Sequence, residues 1–141
     1  MKLDVQEIDV WAASIEDQVG GLALRLTALS EVGSNLEFVI ARRTPEAPGK
    51  GVVFVTPLKG ARQVEAAEAV GFLRTGALHS VRIEGADRPG LGAAITTALA
   101  QAGLNLRGFT ATATGRKFVG YLALDTPEDA EKAVRTLRKL V

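Results

Sequence analysis

The residues best suited to ligand chemistry lie in the glycine-containing segment Gly85-Ala-Asp-Arg-Pro-Gly90-Leu-Gly92. Glycines allow a ligand to approach the backbone closely, and the beginning of a helix presents amide groups that can bind a carboxylate. The amides between Arg88 and Gly92 would bind the carboxylate of an amino acid, and Asn105 or Asp87 would bind its ammonium group. We therefore expect a free amino acid as the ligand of this segment.

The same residues have a purely structural interpretation. In that interpretation Asp87 caps the helix, Pro89 begins it, and Asn105 adopts a turn conformation after Gly103. A nucleotide site is a weaker alternative, because Gly90 is followed by Leu-Gly rather than by Lys-Ser or Lys-Thr. The Gly-x-Gly-x-x-Gly spacing of dinucleotide-binding turns does not occur either.

Catalytic and metal-binding constellations are not evident in the sequence. It contains no cysteine, and His79 is its one histidine. A histidine without a second His or a Cys does not assemble a metal centre or an activated nucleophile, so we expect His79 to be structural. The sequence therefore predicts a protein that is not an enzyme and that holds neither a metal nor a cofactor.

Length and charge narrow the partners further. The chain has 141 residues and a net charge of +1, and 47% of its residues are hydrophobic. So small a net charge gives no general attraction for nucleic acid or for anionic lipid, and we expect neither as a partner. Because no signal peptide and no apolar stretch of about 18 residues occurs, we expect a cytoplasmic protein without a membrane span.

The elements that must position these residues come in two copies. A shift of 70 positions superposes Asp17 on Asp87, Gly20 on Gly90 and Asn35 on Asn105. Such self-similarity indicates a duplicated domain, and two copies are too few for an open solenoid. We expect domain 1 over residues 1–76 and domain 2 over residues 77–141.

Hydrophobic periodicity sets the order of the elements. In the second copy we expect strand 78–85, helix 90–102, strand 105–113, strand 117–124 and a helix from Thr126 to Val141. In the first copy we expect strand 8–15, helix 20–32, strand 35–43, strand 51–56 and helix 62–73. The short connection after Leu73 predicts that the closing strand of the first copy merges with the opening strand of the second. No closing strand follows Val141, and we expect Lys2–Val5 to fill that sheet edge.

Two features of the first copy concern packing. Trp11 shares the core register of Val81, which predicts that it is buried. In helix 20–32 the expected inward stripe includes Leu24 and Leu29, with Leu22 and Leu26 beside it. The resulting wide apolar face would pack against the other copy or against a second subunit.

The turn Asp87-Arg88-Pro89-Gly90, followed by a helix and then by Gly103-Leu104-Asn105-Leu106, resembles the ACT domain. The resemblance extends over essentially the whole chain, twice, and the chain is similar to stand-alone two-ACT proteins, including regulators of the glycine cleavage system. It implies an α+β fold of two ferredoxin-like βαββαβ ACT units packed as a tandem pair. It also implies an allosteric regulatory role and a homodimer in which sheets join side by side.

The resemblance assigns the site residues. The ligand-binding set would be Asp87, Arg88, Pro89, Gly90, Leu91, Gly92, Leu104 and Asn105. A second site would comprise Asp17, Gln18, Gly20 and Asn35, but Gln18-Val19 replaces Arg-Pro there, which predicts weaker binding. The expected ligand is a small molecule, an amino acid, and we expect an unidentified downstream protein to receive the signal.

RNA binding is the alternative function, because RNA-recognition modules share the ferredoxin-like architecture. The run Arg116-Lys117-Phe118-Val119-Gly120-Tyr121 partly matches their signature, but Arg116 stands where an aromatic residue is required. Phe118 and Tyr121 are also expected to point to opposite sides of their strand.

Overall fold

A computed structural model of the protein describes residues 2–74 and 79–140. The elements of the described residues are β1 (Asp4–Ile8), β2 (Trp11–Glu16), α1 (Gly21–Glu31), β3 (Phe38–Arg43), β4 (Lys50–Thr56), α2 (Gly60–Ala69), β5 (Leu73–Arg74), β6 (His79–Ala86), α3 (Leu91–Gln101), β7 (Gly108–Thr114), β8 (Lys117–Leu124) and α4 (Pro127–Arg138).

The described residues divide into two compact units. We call residues 2–8 with 79–140 the carboxy-terminal unit, and residues 9–74 the amino-terminal unit. Each contains one four-stranded antiparallel sheet and two helices in a βαββαβ-like arrangement. The predicted α+β fold with a repeated βαββαβ unit is therefore confirmed.

In the carboxy-terminal unit the strand order is β1-β6-β8-β7. Alternate residues of β6 and β8 are buried, among them Val81, Ile83, Phe118 and Leu122. Helices α3 and α4 cover this face, and their buried side chains belong to the same core: Leu91, Ile95, Leu99, Ala130, Ala133, Val134 and Leu137.

The first strand of the chain completes the sheet of the carboxy-terminal unit. β1 runs antiparallel to β6, with Val5 opposite Ile83. Leu3 and Val5 are buried in the core, and Arg138 of α4 donates hydrogen bonds from Nε (3.2 Å) and Nη2 (2.9 Å) to the carbonyl oxygen of Val5. The expectation that the amino terminus fills this edge is confirmed, although the paired strand is Asp4–Ile8. Residues 2–8 of the predicted domain 1 therefore lie in the carboxy-terminal unit, while the assignment of 1–76 and 77–141 to two ACT domains remains a proposal.

In the amino-terminal unit the strand order is β3-β4-β2-β5. Trp11 is 8% exposed and packs in a core with Leu29, Val53, Val55 and Phe72, so its predicted burial is confirmed. The inward stripe of α1, however, was wrong. Leu22, Leu26 and Leu29 face the core, whereas Leu24 is 66% exposed, because it lies two residues, about 200°, around the helix from Leu22.

Several predicted boundaries also differ. Helix α2 ends at Ala69 rather than at residue 73, because the Phe72 amide bonds back to the Ala67 carbonyl (3.0 Å). Leu73–Arg74 then form a separate short strand against β2, so the closing strand of the first copy does not merge with the next strand. The predicted ends at residue 78 and at Val141 lie outside the described residues.

Strands β3 and β7 begin at Phe38 and Gly108, three residues later than predicted at 35 and 105. In both units the chain first turns back onto the preceding helix. Ser34 donates to the carbonyl of Leu29 (3.1 Å), and Leu104 donates to that of Leu99 (3.0 Å). No helix among the described residues is long and apolar enough to cross a membrane.

Candidate functional site

The turn between β6 and α3 is anchored to the neighbouring hairpin. The amide of Asp87 donates to the carbonyl oxygen of Arg116 at 2.8 Å, at the tip where β7 meets β8. Gly90 then takes the N-cap position with φ 82°, a left-handed conformation that favours glycine. The first intrahelical bond follows, from the Ala94 amide to the Gly90 carbonyl (2.9 Å).

The purely structural interpretation of this turn is wrong on two points. The N-cap is Gly90, and no side chain caps the helix, so Asp87 does not serve as the cap. The helix begins at Leu91 rather than at Pro89. Asp87 is exposed, and its carboxylate does not cap the helix.

The beginning of α3 offers backbone donors rather than side chains. The Leu91 amide donates within the turn to Arg88 (3.3 Å), and the amides of Gly92 and Ala93 have no acceptor within the helix. A Cβ built on Gly90 or on Gly92 would meet nothing within 4 Å. The Leu91 side chain, in contrast, is buried at 2% exposure in the core. The Cβ directions of both glycines are therefore open at the beginning of the helix.

Asn105 lies at the opposite end of the unit from this turn. The 11 residues of α3, about 16 Å of helix, separate the two segments. The neighbouring Arg107 amide donates to Ala123 (2.8 Å), near the end of β8 farthest from Arg116. Asn105 therefore does not lie beside the turn of its own unit, and the expectation that it begins a strand next to this turn is wrong. Asn105 is exposed, whereas the adjacent Leu104 is buried in the core.

The amino-terminal unit reproduces the turn geometry. Gly20 is the N-cap of α1 with φ 86°, and the Asp17 amide donates to the Gly49 carbonyl (3.0 Å), as Asp87 does to Arg116. Asp17 differs in that its carboxylate accepts a hydrogen bond from Arg43 Nε (2.8 Å). Gln18 is exposed on the turn, and Asn35 is exposed beyond the far end of α1.

An ion network on the carboxy-terminal sheet was missed by sequence reasoning. Glu84 Oε2 accepts a hydrogen bond from Arg82 Nη1 at 2.7 Å. The other carboxylate oxygen, Oε1, lies 2.7 Å from Lys117 Nζ. These contacts with Lys117 and Arg82 lower the pKa of Glu84. Desolvation by burial works against the charge of Arg82, but hydrogen bonds to Glu84 and Tyr121 outweigh it and raise the Arg82 pKa. Because the charged residues alternate with buried Val81 and Ile83, the sequence could predict that they lie on the outward face of β6. Their contact with Lys117 depends on the register between β6 and β8, which the sequence does not show.

The RNA-binding alternative is not favoured by this geometry. Phe118 is 6% exposed and belongs to the hydrophobic core, so its ring is not available for stacking on a base. The outward-facing aromatic of β8 is Tyr121, which interacts with Arg82. His79 begins β6, and no cluster of three or more His, Asp or Glu side chains suited to a metal occurs within 2–74 and 79–140.

Comparison with known proteins identifies the carboxy-terminal half. Residues 79–141 match the model of the ACT domain family. No curated protein matches the chain.

Solved structures are similar to nearly the whole chain. The regulatory subunit of aspartate kinase from Thermus thermophilus, in its ligand-free form, is 20% identical with a TM-score of 0.68, and the match covers 99% of this chain and 97% of that one. The corresponding subunit from Thermus flavus is also 20% identical, with a TM-score of 0.63 and the same coverage of 99% and 97%. A protein from Bacteroides thetaiotaomicron is 14% identical with a TM-score of 0.78, over 93% of this chain and 88% of that one. At these identities the likeness establishes the fold.

Proposed function

We propose that the protein is a non-enzymatic regulatory protein of the cytoplasm that binds a free amino acid at the turn before α3. The observation that carries the proposal is the beginning of α3, where helix amides lie next to Gly90 and Gly92 with open space at both glycines. A carboxylate is the natural ligand of such amides. The turn falls within the residues that match the ACT domain.

Two further observations support a regulatory role. The similar solved structures include regulatory subunits of aspartate kinase. The amino-terminal unit repeats the βαββαβ arrangement and the turn geometry, which supports our proposal of two ACT domains, 1–76 and 77–141. We propose that the signal passes to a downstream protein.

The distance between the turn and Asn105 shapes the proposal. Because α3 separates them within one unit, one site can use both only if Asn105 comes from a second copy of the chain. We therefore propose a homodimer in which the partner subunit's Asn105 binds the ammonium group of the ligand held at Gly90. A twofold axis would create this contact twice.

The test is a thermal-shift screen of the twenty amino acids, followed by calorimetry. A ligand at about 100 times its dissociation constant should stabilise the protein by about 2.7 kcal/mol. The Gly90→Val variant should lose this response, because a branched side chain would cover the helix amides. If no amino acid raises the melting temperature of the parent protein, the proposed function is wrong.

The chain provides a matched control for that variant. Gly20 occupies the same N-cap position in the amino-terminal unit, with a similar φ and equally open space around its Cβ position. Gly20→Val should therefore impose the same backbone strain while leaving ligand binding at the carboxy-terminal turn unchanged. Equal loss of binding in both variants would contradict the assignment to the carboxy-terminal turn.

A further inference from the structure

Leu3, near the amino terminus, contacts the strand that leads into the turn before α3. β1 extends along β6 with Asp4 opposite Glu84, so Leu3 lies next to Gly85, close to the point where β6 enters the turn. A Cβ built on Gly85 would lie 2.7 Å from Leu3 Cδ2 and 3.7 Å from the carbonyl oxygen of Lys2. The Leu3 side chain therefore occupies the space that a side chain at position 85 would fill.

Leu3 also belongs to the hydrophobic core next to the turn. It is 7% exposed and lies in the same cluster as Leu91, the first residue of α3, and Phe118, which pairs with Gly85. Gly85 precedes the turn and Leu91 follows it, so the packing at both ends of the turn involves one core. Because Gly85 has no side chain of its own, its packing against this core comes from Leu3.

The amino-terminal unit fills the equivalent space in another way. At the shift of 70, Ile15 corresponds to Gly85, and the Ile15 side chain packs against the core of its own unit. On that edge of β2, the described residues of β5 pair with Trp11 and Ala12 and do not extend to Ile15. The amino-terminal unit thus packs the end of its strand with the strand's own side chain. The carboxy-terminal unit uses a side chain from a distant segment of the chain instead.

We propose that Leu3 is a positioning residue for the turn between Gly85 and Gly92, so that docking of the amino-terminal segment controls binding at this turn. The proposal rests on the proposed function of the turn, but Leu3 acts through Gly85 and does not itself touch the ligand. Contact with Leu3 restrains the end of β6, and with it the Asp87 amide that donates to Arg116. A site that is already ordered binds more tightly, because binding does not have to supply the cost of ordering it.

Hydrogen exchange, measured by NMR on the full-length protein, tests the positioning without a ligand. Leu3→Ala removes the contact with Gly85, so exchange of the Asp87 amide should accelerate about tenfold or more. The Asp17 amide is the internal control, because it donates to Gly49 at the equivalent place in the amino-terminal unit. Its exchange should stay at the parent rate.

Val5→Ala is the matched variant for the loss of buried apolar surface. Val5 is buried in the same strand but lies opposite Ile83, away from the turn. Its truncation should accelerate exchange at Asp87 less than Leu3→Ala does. If Leu3→Ala does not fold, Leu3→Val takes its place, since valine also lacks Cδ2. Equal exchange at Asp87 in the Val5 and Leu3 variants would overturn the proposal.

The close contact between Leu3 and Gly85 allows an independent test by a double-mutant cycle. In the parent, Gly85→Ala places a methyl group against Leu3 Cδ2 and should accelerate exchange at Asp87. In the Leu3→Ala background the same methyl group occupies vacated space and should slow this exchange. The same acceleration in both backgrounds would show that Leu3 does not act through Gly85.

Calorimetry connects the positioning to binding, with the amino acid that gives the largest thermal shift in the screen as the probe. Its affinity should fall about three- to tenfold in Leu3→Ala and stay near the parent value in Val5→Ala. Leu3→Met, which has a similar volume, should keep the parent affinity. If no amino acid binds the parent, the proposed function fails and the exchange data still decide the role of Leu3. If one binds parent and Leu3→Ala equally, the proposed function stands and the role of Leu3 is wrong.

Discussion

At the residue scale, local chemistry was readable from the sequence where one residue decides the outcome. Thr126 is the N-cap of α4, and its side chain accepts a hydrogen bond from the Asp129 amide (3.0 Å), as its position before Pro127 predicts. Asp87 is the contrasting case. An aspartate before a helix usually predicts a cap, but Gly90 takes the N-cap position three residues later, so the carboxylate is left out of the helix.

The Glu84 network gives a prediction of pH dependence. The pKa of Glu84 is lower in the folded protein than its ordinary value of 4.5, because Lys117 and Arg82 favour its charged form. The network therefore stabilises the fold above pH 4.5, and this contribution is lost as the pH falls through the lowered pKa. We expect Glu84→Gln to destabilise the protein at pH 7 by about 0.5–1 kcal/mol and to have a diminishing effect in acid.

Thermal unfolding of the parent and the variant between pH 3 and pH 7 measures this difference. Glu65→Gln, at an exposed position of α2, is the control for the loss of one negative charge. Added salt should also reduce the effect of Glu84→Gln, because Lys117 is largely exposed. A difference from the parent that is the same at both ends of the pH range would contradict the role of the network.

At the scale of elements, the period of the hydrophobic residues predicted the order of helices and strands, but it did not predict the residues at which they begin and end. β8 matches its predicted span of 117–124 because a tight turn and a helix cap bound it. β7 does not match, because the Leu104 amide bonds to Leu99 and delays the strand. Such contacts depend on the three-dimensional path of the chain, and the periodicity of hydrophobic residues does not predict that path.

The first strand carries a prediction about stability. Burial of a valine or leucine side chain contributes about 1.5–3 kcal/mol, and both Leu3 and Val5 are buried against the carboxy-terminal core. Deletion of residues 1–5 should therefore destabilise the protein strongly, since it also removes the carbonyl that binds Arg138. Chemical denaturation measures the loss. Gln6→Ala, at an exposed position of the same strand, should change little, and an unaltered midpoint in the deletion variant would refute the structural role of this segment.

At the scale of the whole molecule, the count of strands predicted that the amino terminus completes the second sheet, and β1 does so. The edge of β6 is therefore paired within the chain and does not require a second subunit. Other edges remain. β3 and β7 end their sheets and carry the exposed apolar residues Val39 and Phe109, which occupy equivalent positions at the shift of 70.

The assembly of the site was the part least accessible to the sequence. The resemblance to the ACT domain identified Gly90 and Asn105 as candidates, but their relation in space depends on the helix between them. An uninterrupted helix of 11 residues places them at opposite ends of one unit. Their proposed cooperation therefore requires a second subunit, and subunit mixing can test it.

Gly90→Val and Asn105→Ala should each abolish or weaken binding when present in every subunit, because each damages one half of every shared site. The loss of a hydrogen bond to a charged group should reduce affinity by about ten- to a hundredfold for Asn105→Ala. When the two variants are mixed and allowed to exchange subunits, half of the dimers should contain one of each. Every such dimer has one site with both changes and one site with neither, so about a quarter of the sites should regain the parent affinity.

Calorimetry of the mixture, with light scattering to establish the dimer, measures this recovery. Asn35→Ala mixed with Gly90→Val is the control, since Asn35 is equally exposed but belongs to the amino-terminal unit. In this mixture the number of sites that bind with the parent affinity should equal the number on the Asn35→Ala subunits, with no additional recovery. Recovery depends on a site shared between two copies, because variants that each damage a site within one subunit do not complement. A monomer throughout the micromolar range, or a dimer without recovery, would therefore show that Asn105 does not complete the site of its partner.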